Sequence, residues 1–97
     1  MVQRVDQIST LVDYIKQEFA GHGVWDRYDP DRHAHEVSVA TDKGVLLLTA
    51  SLELFKDNSP AEVRRLLQQW NVADALRETD PAKRLLVTQS GCQVTSR

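Results

Sequence analysis

Residues 35–55 read HEVSVATDKGVLLLTASLELF. Val37 and Val39 alternate with Glu36 and Ser38, the period of a half-buried strand. Thr41-Asp42-Lys43-Gly44 then supplies turn chemistry. A greasier second strand is expected from Val45 to Leu54. Its Leu46, Leu48, Ala50, Leu52 and Leu54 make an apolar face, and Val45, Leu47, Thr49, Ser51 and Glu53 make a mixed one. A one-residue slip between paired strands would bring every side chain to the opposite face, so matching the apolar faces selects the register. Val39 should meet Leu46 and Val37 should meet Leu48, around a loop of two or four residues centred on Asp42 and Lys43.

Upstream, Val5, Ile8, Leu11, Val12, Ile15 and Phe19 recur at helical spacing and predict an amphipathic helix that stops at Gly21 or Gly23. The polar face of this helix has mixed charge, which favours packing on its own core over a membrane surface. GVWDRY (23–28) reads as a short edge strand, with Val24, Asp26 and Tyr28 on one side and Trp25 and Arg27 on the other. Downstream, Ser59, Pro60 and Glu62 form a capping-box signature at a helix start. Val63, Leu66, Leu67 and Trp70 make its buried stripe. Asn71 bends or re-caps the helix, and the apolar pattern runs on to Asp80-Pro81. Leu85 and Val87 alternate with Leu86 and Thr88 in a further strand. Ser90-Gly91 either turns the chain into a final hairpin or forms a bulge in one longer strand.

The order α-(β)-β-β-α-β(-β) predicts one α+β domain over residues 1–97. The expected architecture is a two-layer sandwich, with an antiparallel sheet of three to five strands and two amphipathic helices. Ninety-seven residues are enough for one core. A chain that is 41% hydrophobic and 27% charged is too apolar for disorder and too polar for a membrane protein. MVQRVDQIST (1–10) lacks the apolar centre of a signal peptide, so cytoplasm is the default compartment. The single cysteine, Cys92, agrees with a reducing environment. Net charge is −2, which argues against nucleic acid as the partner. The coarse order of elements is similar to that of small dimeric secretion-chaperone-like folds, at the level of fold and without any motif.

Three kinds of function compete. His33 and His35, at i and i+2 and on one side of the expected strand, are the candidate metal ligands for a metal-dependent enzyme. Zinc needs at least a third protein ligand, and a bare His-x-His motif does not supply one. No glycine-rich phosphate loop and no nucleophile elbow is present, and Cys92 has no basic neighbour in sequence, so a non-enzymatic role without cofactor is favoured. A winged-helix DNA-binding regulator would use the helix at 60–78 and a C-terminal wing. Its recognition segment, NVADALRETD (71–80), carries Asp74, Glu78 and Asp80, which would repel phosphates. The reading adopted is a protein-interaction module that works as a homodimer. It rests on the second sheet face, where Val45 and Leu47 need cover, and on Trp25, a residue type favoured at interface centres.

Overall fold

The computed structural model describes residues 4–97. Helix α1 (Arg4–Glu18) leads into strands β1 (Gly23–Asp29), β2 (Ala34–Thr41) and β3 (Gly44–Ser51). Three helices follow, α2 (Leu52–Lys56), α3 (Pro60–Gln69) and α4 (Val72–Glu78), and then strands β4 (Lys83–Thr88) and β5 (Gly91–Ser96). The five strands form one sheet in sequence order, β1-β2-β3-β4-β5. The protein is thus an α+β fold, with helices on one face of the sheet and, among the described residues, no helix on the other.

The hairpin register follows the hydrophobic pattern. Val37 pairs with Leu48 and Val39 with Leu46, around a two-residue loop of Asp42 and Lys43. Gly44 sits at φ +128°, a region that L side chains rarely adopt, and a Cβ there would lie 3.3 Å from the Pro81 ring. Strand β1 adds to β2 in antiparallel register, with Val24 against Val39 and Asp26 against Val37. Val24, His35, Val37, Val39, Leu46, Leu48, Ala50, Leu85 and Val87 therefore share the helix-covered face. Most of them are fully buried there with Leu11, Ile15, Leu54, Phe55, Val63, Leu67 and Leu76.

The structure corrects the sequence reading in four places. The sheet is mixed, because β3 and β4 run parallel, with Leu48 beside Leu85 and Ala50 beside Val87. Parallel neighbours need a long crossover, and the helical segment at 52–82 provides one. Among the described residues, the layer beside the sheet holds four helices. The second hairpin strand ends at Ser51, whose side chain caps α2 by accepting from the Glu53 N–H at 3.3 Å. Leu52 and Leu54 therefore belong to a helical turn, since a short apolar run fits either period. Asn71, in left-handed conformation (φ 53°), separates α3 from α4. Finally, Val5 is 62% exposed. The buried stripe of α1 passes through Gln7, Leu11 and Ile15, and Val5 lies about 200° around the helix from Gln7. Ile8, Leu52, Leu66 and Trp70 sit partly buried at the core margin.

Candidate functional site on the bare face of the sheet

The face opposite the helices is built from alternate residues of each strand. Trp25 and Arg27 stand on β1, Glu36, Ser38 and Ala40 on β2, and Val45, Leu47 and Thr49 on β3. Arg84 and Leu86 stand on β4, and Gln93 and Thr95 on β5. It has an apolar end and a polar middle.

The apolar end lies near the β2–β3 turn. Trp25 is 49% exposed and Val45 is 39% exposed. The small residues Gly23, Ser38 and Ala40 lie between them, since Gly23 pairs with Ala40, Trp25 with Ser38, and Ala40 with Val45. A Cβ built on Gly23 would lie 3.9 Å from the Trp25 ring, an ordinary van der Waals contact. Leu47 pairs with Ser38 in the same row but is covered by its own neighbours, at 9% exposure. Of the three expected interaction residues, Trp25 and Val45 present surface and Leu47 is covered by its neighbours on the same face.

The polar middle centres on Glu36, whose carboxylate is buried between two guanidiniums. Arg27 Nε donates to Glu36 Oε1 at 2.9 Å from an exposed position. Arg84 Nη1 lies 3.5 Å from Glu36 Oε2 and donates to Thr49 Oγ1 at 3.0 Å. The Glu36 and Arg84 side chains are each only 8% exposed. Charges taken this far from water need each other, and removing one leaves the other costly to bury. Each strand alternation reads as half apolar and half polar in sequence. Only the pairing of β2, β3 and β4 reveals that the polar half converges on one carboxylate.

The two histidines do not form a pair on one side of a strand, as the sequence reading expects. His33 precedes β2 in left-handed backbone (φ 49°) and is exposed. His35 is buried in β2 on the helix side, and its Nε2 lies 2.5 Å from Asp26 Oδ2. Asp26 is the carboxylate that the β2–β3 register alone did not bring near His35, because it arrives from β1. Nδ1 is buried without a hydrogen-bond partner among the described residues. Ile8, Tyr28, His35 and Leu52 line a hollow of about 230 Å³ there. Among the described residues no group of three or more His, Cys, Asp or Glu converges as a metal site would require.

Cys92 is partly buried, and burial pushes its thiol pKa up, which disfavours the nucleophilic thiolate. The segment weighed as a recognition helix is α4, whose Val72, Ala73 and Leu76 are buried in the core. Its Arg77 is engaged by Asp74 and by the Glu18 carbonyl, and stacks 4.8 Å from the centre of the Phe19 ring. The strands weighed as a wing are β4 and β5 of the main sheet. No helix among the described residues is long and apolar enough to cross a membrane. Comparison of the chain with protein families, with curated proteins and with solved structures finds no match.

Proposed function

We propose that this protein is a non-enzymatic interaction module that associates with a second copy of itself through the bare face of its sheet. The observation that carries the reading is Trp25. A tryptophan half exposed on a face without helices, beside exposed Val45 and small Gly23, Ser38 and Ala40, has the composition of an interface centre. Covering it removes apolar area from water, at roughly 25 cal/mol per Å². A two-fold arrangement would bring the same patch of each copy together, which is the commonest closure for small chains. A stable interface of this kind buries upwards of roughly 1,000 Å² in total.

Sedimentation equilibrium at micromolar concentration tests the reading. The expected result is a species of twice the 11.0 kDa chain mass. A Trp25→Ala, Val45→Lys double variant should sediment as the single chain while keeping its far-ultraviolet spectrum. A native protein that sediments at 11.0 kDa overturns the reading. A dimer that survives the double variant moves the interface elsewhere.

A further inference from the structure

We propose that the groove around Arg84, on the same bare face but toward β5, is a binding site for a small organic oxyanion, a carboxylate or a phosphate ester. The groove has a volume of about 410 Å³. Its cationic and hydroxyl lining comes from Arg84, Arg32, Thr49, Thr88 and Thr95, with Leu86 as an apolar wall. That size exceeds a bare inorganic ion and suits an acid group carried on a small body.

Arg84 supplies the recognition chemistry. Both of its contacts, to Glu36 and to Thr49, run through Nη1. Its Nε is buried and has no hydrogen-bond partner among the described residues. A guanidinium grips an oxyanion side-on through Nε–H and the adjacent Nη2–H, a planar fork that matches two carboxylate or phosphate oxygens. In Arg84 that edge includes the donor left without a protein acceptor. An unsatisfied buried donor costs free energy that an acceptor would recover, and binding requires the Arg84 side chain to turn this covered edge toward the groove it lines.

The charge balance points the same way. One carboxylate, Glu36, is shared by two guanidiniums, Arg27 and Arg84, so the cluster carries an excess positive charge. Arg32 at the rim is already met by Asp29 at 3.5 Å. The Thr49 hydroxyl accepts from Arg84 and keeps its own proton as a further donor. The groove's lining residues lie apart from Trp25 and Val45 on the same face, so the oxyanion test is read separately from the oligomeric state.

The test follows the Arg84 Nε–Hε resonance of the full chain by ¹H–¹⁵N spectroscopy at constant ionic strength. Phenyl phosphate and benzoate are titrated separately, which distinguishes phosphate from carboxylate. A saturable shift of this resonance, together with the Thr88 and Thr95 amides, is expected with at least one probe. Arg84→Lys keeps the charge but loses the fork, and should weaken binding about tenfold or more. Glu36→Gln removes the carboxylate that competes for the same guanidinium while preserving its shape, and should tighten binding. The absence of a saturable shift with both probes overturns the proposal. So does unchanged affinity in a folded Arg84→Lys variant, or unchanged or weaker affinity in Glu36→Gln.

Discussion

Tyr14 carries a role at the residue scale that helical spacing in α1 does not reveal. Its hydroxyl donates to the Leu67 carbonyl at 3.3 Å and accepts from the Ala73 N–H at 3.2 Å. The first group lies in the last turn of α3 and the second in the first turn of α4, where helices leave backbone groups unpaired. Asn71, the residue before α4, makes no side-chain cap. One buried hydroxyl from α1 therefore satisfies both sides of the α3–α4 break, and burial raises its pKa. Tyr14→Phe should cost about 1–3 kcal/mol, because two buried backbone groups lose their partner while the ring stays in place. A denaturant midpoint equal to that of the native protein would show that water replaces the hydroxyl.

At the scale of the element, α3 begins with a complete capping box. Ser59 Oγ accepts from the Glu62 N–H at 3.2 Å, and Glu62 Oε1 accepts from the Ser59 N–H at 3.0 Å. That backbone bond, followed by the contact with the Ser59 side chain, holds the Glu62 carboxyl below its ordinary pKa. A depressed carboxylate adds stability above its unfolded pKa of about 4.3, and that stability is lost as pH falls through the folded value. Below about pH 4 the cap should therefore weaken. Glu62→Gln, which keeps an acceptor oxygen but does not titrate, should flatten the acid limb of stability against pH. Superimposable acid limbs for the two proteins would remove this carboxylate from the account. Ser59, Pro60 and Glu62 were legible without a structure because a capping box is a contact between residues three apart.

For the whole molecule, the helix layer covers one sheet face and leaves the other to Trp25, Val45 and the Glu36 cluster. If two copies close over the apolar end, folding and association are linked, and the melting temperature should rise with protein concentration. The Trp25→Ala, Val45→Lys variant should lose that dependence. A native melting temperature constant over a hundredfold range of concentration would contradict a dimer in that range. That Val45 and Leu47 share the face opposite Leu46 and Leu48 was legible from the alternation in sequence. The extent of apolar surface on that face was not, because Leu47 proves to be covered and Trp25 becomes its neighbour in the same row only through the β1–β2–β3 pairing.

The sequence by itself determined the α+β class, the β2–β3 register and the capping box that opens α3, and it left the path of the chain at Asn71 and at Ser90-Gly91 open between two alternatives each. All that it determined depends on periodicity or chemistry within a few residues. Tertiary structure alone decided that β3 and β4 lie side by side in parallel, and with that everything that spans distant segments. Glu36 meets Arg84 across 48 positions, and Tyr14 meets Ala73 across 59. Asp26 reaches His35 from a strand whose register no local pattern states. Alternation says which face a side chain takes. It does not say which strand lies next to it, because any apolar face satisfies any other until the chain closes on a single core.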